Sequence, residues 1–356
     1  VEAPAGSGKT IIAAAAANAV ARPGWRIGWL ANTVEQVEQA EAAVRLFTWS
    51  GVDFILGCAA ASPDFSGCQL VIVDEAHHSA AETWLQAIAR ARGTLWGFSA
   101  TPWSEDVTRN ALVRQCFERF HVVPRAALLD SGHLAEGKVY MHDVDALGEF
   151  DAAIELETAA ETQRRCARFR SIPRFEHERR AKWQITQQYI QKNEKRNDTI
   201  KGLCMARGLR TASLLLLVQS VEHGESLVAD IPGAVLVHSK VGAKARREAI
   251  CGFRAGDFRV LAATSLADEG LDVPRASVLV LASGGRAAGK LEQRAGRVLR
   301  PFPGKSSGIV HDFLDRGAQY AWAQARARMR VYERLGYAPE IVNSFSTVGG
   351  LSDMVS

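Results

Sequence analysis

Ala3-Pro4-Ala5-Gly6-Ser7-Gly8-Lys9-Thr10 stands at the start of the chain and decides its fold. It fits G-x-x-x-x-G-K-T loosely, since Ala3 occupies the place of the first glycine. Gly6-Ser7-Gly8-Lys9-Thr10 is the chemically demanding part. A loop that cradles phosphate needs small residues, so that backbone N–H groups can converge on the anion's oxygens. A helix from about residue 9 to 20, mostly alanine, then aims the positive end of its dipole at the same point. Lys9 would reach the β- and γ-phosphates of a nucleotide, and Thr10 would offer a hydroxyl to Mg²⁺. A glycine turn that merely caps a helix shares this pattern, so the reading rests on what lies downstream.

About 65 residues further on, Leu70, Val71, Ile72 and Val73 form an apolar run, as expected of a parallel strand covered on both faces. Asp74 and Glu75 follow at its carboxyl end, where open α/β sheets bind ligands. Two adjacent carboxylates are costly to leave unpaired, and a metal ion is their natural partner. Asp74 fits the role of holding Mg²⁺, directly or through water. Glu75 fits the role of polarising the water that attacks a phosphoanhydride.

Asp74-Glu75-Ala76-His77 is also a D-E-A-H box, and four more segments fall in a familiar order. Trp29-Leu30-Ala31-Asn32-Thr33 with Gln36 looks like motif Ia, and Phe98-Ser99-Ala100-Thr101-Pro102 like motif III. Residues 263–274, with Ala267-Asp268-Glu269-Gly270-Leu271-Asp272, look like motif V. Gln293-Arg294-Ala295-Gly296-Arg297-Val298-Leu299-Arg300 looks like motif VI. Across roughly residues 1–315 the chain resembles the superfamily-two DEAD/DEAH-box helicases and translocases of phage and bacterial type, related to restriction-enzyme and excision-repair helicases.

The resemblance implies an α/β protein of two tandem RecA-like parallel-sheet domains, with the nucleotide site in the cleft between them. It implies a nucleic-acid-dependent ATPase using ATP and Mg²⁺ to move along or unwind DNA. Its catalytic residues would be Lys9, Asp74, Glu75, Gln293, Arg297 and Arg300, the two last as arginine fingers three residues apart on one helix face. Nucleotide contacts would come from Gly6, Ser7, Gly8, Lys9, Thr10 and Asp272, and metal contacts from Thr10 and Asp74. Asn32, Thr33, Ser239, Lys240 and Thr264 match positions that touch the nucleic-acid backbone. DNA is favoured over RNA because the D-E-A-H and Q-R-A-G-R-V-L-R forms look more like the repair and restriction branch. An RNA helicase, or a duplex translocase without strand separation, is the alternative.

Other classes fit less well. A transporter or clamp-loading ATPase would lack the Gln293–Arg300 pattern. A binding module with a dead ATPase site would have lost a lysine, an acid or a finger, and all are present. A net charge of +4 in 356 residues describes no polycation, so nucleic acid would need a local groove. Six scattered cysteines without a C-x-x-C pair argue against zinc and a disulfide framework and fit a reducing cytoplasm. No apolar run is long enough for a membrane span. A monomeric motor is expected. The resembled proteins read adenine with an aromatic-and-glutamine segment upstream of the phosphate loop, so the chain is expected to lack its natural N-terminus.

The expected layout is a first domain over residues 1–140, a basic and mostly helical linker or insert over 141–182, a second domain over 183–340 and a tail over 341–356. Strands alternate with helices in both domains, which predicts parallel sheets. Residues 183–206 read as one helix, 138–144 as a connecting strand, and the stretch after Tyr337 shows little periodicity. Residues 164–180 hold seven arginines against two glutamates, interleaved with Phe169 and Phe175 and followed by Trp183. Such a run is either a solvated helix face or a basic surface on which bases stack.

Overall fold

A computed structural model describes residues 1–4, 6–100, 102–103, 106–131, 136–264, 273–285, 291, 294–296, 298, 305 and 307–343. Contacts divide the chain into two units, Val1–Leu134 and Ala135–Ser356.

The first unit runs α1 (Lys9–Val20), β1 (Arg26–Ala31), α2 (Val34–Val44), β2 (Asp53–Cys58), β3 (Leu70–Asp74), α3 (Glu82–Ala89), β4 (Thr94–Phe98), α4 (Val107–Cys116) and α5 (Arg125–Asp130). Its four strands pair in parallel in the order β2-β1-β3-β4. Residues 1–3 extend the sheet beyond β4. Ala3 N donates to Ser99 O at 3.0 Å, Ser99 N donates to Val1 O at 3.1 Å, and Glu2 bridges to Val122 on its other side. The phosphate loop therefore leaves the sheet at the same carboxyl edge as β3.

Both faces of this sheet are covered, which is why β3 reads as an unbroken apolar run. Ala13, Ala14 and Ala17 of α1 lie against Ile27, Trp29, Leu70 and Ile72. Their small side chains let the helix approach the sheet closely. Leu30, Val71 and Val73 face Phe65, Trp84, Ile88 and Phe117 on the opposite side.

The second unit runs β5 (Glu136–Asp143), α6 (Asp151–Arg168), α7 (Arg174–Lys192), α8 (Glu194–Met205), β6 (Leu214–Val218), α9 (Val221–Ala229), β7 (Val235–Val237), α10 (Ala243–Ala255), β8 (Val260–Thr264), β9 (Val278–Leu281), β10 (Ser307–Phe313), α11 (Gln319–Arg334) and β11 (Pro339–Asn343). Seven parallel strands form one sheet, β11-β5-β10-β9-β6-β8-β7. Leu214 to Val218 of β6 are buried throughout, on an interior strand flanked by β9 and β8.

Four features depart from the expected layout. The segment expected to connect the domains is β5, a strand of the second sheet paired with β10 and β11, and the division of the chain accordingly precedes it. The single helix expected over 183–206 is two: Asn193 ends α7, and its side-chain oxygen accepts from Arg196 N at 3.1 Å to cap α8. Part of the expected tail is β11, an edge strand that is mostly exposed and so carries no apolar run. Residues 141–182, expected as an insert, hold α6 and the start of α7. Ile154, Ile185 and Ile190 pack there against Ala318 and Ala321, so this hairpin belongs to the second unit.

Candidate nucleotide site

The loop before α1 uses its glycines for backbone shape. Gly6 has φ 88° and Gly8, the residue ahead of α1, has φ 76°, a left-handed conformation that a side chain would strain. Ile12 N donates to Gly8 O at 3.0 Å, so the helix begins immediately. Lys9 Nζ donates to the carbonyls of Ala3 and Pro4, both at 3.4 Å, and so lies across the loop's own backbone. Ser7 is buried, and its Oγ has no hydrogen-bond partner among the described residues.

At the end of β3, Asp74 is only 8% exposed. Burial pushes its pKa up to about 6. The neighbouring Glu75 carboxylate adds to the rise, while Lys9, the Glu75 N–H and the Thr10 hydroxyl oppose it. The Glu75 N–H donates to Asp74 Oδ1 at 2.9 Å. Glu75 itself takes a left-handed backbone, φ 50°, which turns the chain sharply out of the sheet. Burial works to raise the Glu75 pKa, but a polar contact from His77 and the charges of Lys9, His77 and His78 together lower it. Of the two adjacent acids, Asp74 is therefore the one that takes a proton more readily. A cation there would favour ionising both.

His77 Nδ1 lies 3.4 Å from Glu75 Oε2, too long to count as a firm hydrogen bond; Oε2 is buried without one among the described residues. The same His77 nitrogen is 3.1 Å from Ser99 Oγ. The residues after β3 and after β4 are therefore joined through one imidazole. Arg109 of α4 donates to His77 O through Nε at 3.3 Å and Nη2 at 2.9 Å, fixing the turn from outside. His78 stacks on Trp84, and burial together with His77 pushes its pKa down to about 4. Arg109 had no local signal in the sequence, because its partner lies 32 residues earlier.

Gly6, Ser7, Gly8, Lys9, Thr10, Asp74 and Glu75 thus come together at one sheet edge. The donor set fits a magnesium nucleotide: a buried carboxylate bonded to a threonine hydroxyl, an ammonium beside a glycine loop, and two buried oxygens without partners. Asn32 and Thr33 lie at the carboxyl end of β1. The Thr33 hydroxyl accepts from Gln36 N at 3.3 Å, and Gln36 Oε1 accepts from Asn32 N and Thr33 N, a capping box that starts α2. Motif Ia residues are thereby committed in part to shaping a helix end.

In the second unit, Ser239 and Lys240 are exposed in the turn after β7. Thr264, at the end of β8, is buried, and its Oγ1 has no hydrogen-bond partner among the described residues. Asp272, Gln293, Arg297 and Arg300 lie outside the described residues. Among their neighbours, Leu291, Ala295 and Val298 are buried in the core, and Arg294 Nη1 donates to Ser283 Oγ at 3.2 Å.

A wider polar network underlies this end of the sheet, and sequence reasoning missed it. Asp312 of β10 accepts from Arg328 Nε at 2.8 Å, Arg328 Nη2 at 2.9 Å, Tyr332 Oη at 3.0 Å and Phe313 N at 2.7 Å. Arg328 also donates to Gly285 O at 2.7 Å. Arg196 pairs with Asp315 at 2.6 Å and lies over the Phe313 ring. His142 and His311 face each other at 2.9 Å across β5 and β10.

Residues 194–301 match the helicase conserved C-terminal domain family, and residues 1–95 match an AAA domain family. A protein named as a helicase from Sulfolobus islandicus filamentous virus is 27% identical over 70% of this chain and 43% of its own length. One named as the DNA 3'-5' helicase Rad25 of Halobacterium salinarum is 27% identical over 73% of this chain and 38% of its own. The chain therefore spans less than half the length of these relatives. Among solved structures, S. cerevisiae Dbp5 bound to RNA and ADP BeF3 has a TM-score of 0.63 at 14% identity, covering 99% of this chain and 88% of that one. The Type ISP restriction-modification enzyme LlaBIII bound to DNA has a TM-score of 0.62 at 13% identity, covering 100% and 31%. At such identities the likeness is one of fold, two tandem RecA-like domains. With its motifs in order and these relatives in sequence, the chain is helicase-like and resembles the superfamily-two helicases and translocases.

Proposed function

We propose that the chain is the motor of an ATP-dependent DNA helicase or translocase. The observation that carries this is the meeting of Lys9, Thr10, Asp74 and Glu75 at one sheet edge, with His77 tying Glu75's turn to Ser99. Backbone N–H groups of Gly6, Ser7 and Gly8 bind the nucleotide's phosphates, and Lys9 leaves its loop carbonyls for them. Thr10 and Asp74 would hold Mg²⁺, which when bound neutralises phosphate charge. Glu75 orients the attacking water and receives its proton. By their likeness to motifs V and VI, Asp272 is assigned to the ribose and Gln293, Arg297 and Arg300 to the γ-phosphate. Asn32, Thr33, Ser239, Lys240 and Thr264 hold backbone phosphates, which carry no sequence information. The chain works as a monomer in the cytoplasm of a bacterial or phage-infected cell, where the described cysteines, all free, stay reduced.

The deciding experiment measures ATP turnover with single-stranded, duplex and forked DNA and with RNA in parallel. DNA should raise the rate more than RNA does. Lys9→Ala should abolish turnover, and Glu75→Gln should bind ATP without hydrolysing it. Full activity in either variant defeats the assignment of the site.

A further inference from the structure

The α6–α7 hairpin carries a concentration of charge that the nucleotide site does not use. Glu161 takes up part of it, with Arg164 at 3.4 Å and Arg165 at 2.9 Å, and Glu176 lies 3.5 Å from Arg180. Arg168, Arg170, Arg174 and Arg179 make no ion pair among the described residues. Three large apolar side chains are exposed beside them: Phe169 at 47%, Phe175 at 66% and Trp183 at 39%. A helix face that merely needs solvation has no use for exposed rings between its arginines.

The hairpin also has a concave site. Arg165 of α6, Arg179, Arg180, Trp183 and Gln184 of α7, and Tyr320 of α11 line a cleft of about 440 Å³. Arg165 is fixed in its wall by Glu161 and by Gln184 Oε1 at 2.5 Å. Arg179 and Arg180 are both exposed; Glu176 pairs with Arg180 at 3.5 Å, and Arg179 has no ion pair among the described residues. Guanidinium forks match phosphate geometry, and an indole or phenol ring offers a stacking face to any base. An acidic peptide would satisfy the arginines but leave the rings without a partner.

We propose that this cleft binds one nucleotide of a single-stranded nucleic acid, its phosphodiester on Arg179 and Arg180 and its base on Trp183 and Tyr320. The proposal rests on the nucleic-acid reading above and adds a foothold on elements separate from Ser239, Lys240 and Thr264. It makes the hairpin a second hold on the strand, independent of the residues that would step along it.

Fluorescence anisotropy of the full chain with labelled oligo-dT, oligo-U and an abasic oligonucleotide, over a salt series, tests this. Arg179→Glu with Arg180→Glu should weaken oligo-dT binding at least about tenfold and flatten the log–log salt dependence by about 0.7, the value for the one phosphate that the variant no longer holds. Trp183→Ala should weaken oligo-dT binding by about five- to a hundredfold and Trp183→Phe much less, while abasic binding should not respond to either. Arg207→Glu, an exposed charge elsewhere on the second unit, is the control for net charge alone. Circular dichroism melts check that each variant is folded. Unchanged affinity and slope in the hairpin variants, with wild-type binding intact, overturns the cleft and leaves the motor standing. If the wild-type chain binds no oligonucleotide, both readings fall. If Trp183→Ala impairs binding of poly-glutamate but not of oligo-dT, the occupant is an acidic protein and the proposal is wrong.

Discussion

Arg328→Met removes the cation from the buried cluster on β10. Asp312 is 0% exposed and Arg328 is 3% exposed, so water cannot replace the missing partner. Two of the four hydrogen bonds to the Asp312 carboxylate disappear, leaving those from Tyr332 and Phe313 N. The carbonyls of Gly285 and Phe313 lose donors as well. Breaking a buried ion pair on one side typically costs about 3–5 kcal/mol, because a charge is left behind in a dry site. With a urea dependence of about 2–3 kcal/mol per molar for a unit of this size, the second unit's unfolding midpoint should fall by about 1–2.5 M. Intrinsic fluorescence and hydrogen exchange at β10 would report it. The double variant Arg328→Met with Asp312→Leu should recover most of the loss, since no charge then remains buried. A single variant that unfolds within about 0.3 M of wild type, or a double variant no better than the single, would refute the reasoning.

Acid should loosen the second unit through its buried histidines. Burial pushes His142 down to about 4 and His223 down to about 3, so each is neutral when folded and takes a proton readily only when unfolded. Their stabilisation is complete above about pH 6.5 and is lost as pH falls toward 4, at about 1.4 kcal/mol per pH unit for each. His223→Gln, which can keep the bond to Asn197, should reduce the slope of stability against pH by one proton; an unaltered slope would contradict the account. Arg300→Ala should lower ATP turnover by about 10³ to 10⁵ while ATP binding persists, whereas Arg286→Ala should do little; equal mild effects in a steady-state assay would exclude the finger role. Gly97→Ala would place a methyl 2.7 Å from the Phe117 ring and 2.9 Å from Ala76 Cβ, costing about 1–3 kcal/mol and disturbing the D-E-A-H turn. A thermal melt and an ATPase assay on the same sample would show both losses.

Features that local chemistry dictates were legible in the sequence. The phosphate loop announces itself because Gly6 and Gly8 must adopt positive φ and the helix must start at once. β3 and β6 are apolar without interruption because both of their faces are covered. Features set by distant partners were not legible. Nothing in Val1, Glu2 and Ala3 says that they pair between residues 97–99 and 121–123. β5 alternates like many connecting strands, and its place in the second sheet depends on β10 and β11. β11 is a half-exposed edge strand, so its pattern is weak. Asn193 interrupts a helical pattern that continues on both sides, and an asparagine fits a helix interior poorly and its cap well. At the site, the carboxylates could be named from their position after β3. The His77–Ser99 link and the reach of Arg109 exist only once β4 and α4 are placed. The roles given to Asp272, Gln293, Arg297 and Arg300 come from motif likeness rather than from observed geometry.

The position of β5 also governs when the second sheet can be completed. β5 is the first strand of its unit to be synthesised, yet its partners are β10 and β11; His142 meets His311, 169 residues later. At typical ribosomal speeds that interval lasts roughly ten to thirty seconds. Throughout it, β6, β8 and β9 can assemble, while β5 emerges with both of its hydrogen-bonding edges open. Val139, Tyr140 and Met141, all buried in the finished sheet, are exposed for that time. Long-range parallel pairing of this kind is slow and invites wrong partners. A pause in translation before Ser307 would lengthen the exposure of both edges, whereas one after Phe313 would leave open only the edge that β11 covers.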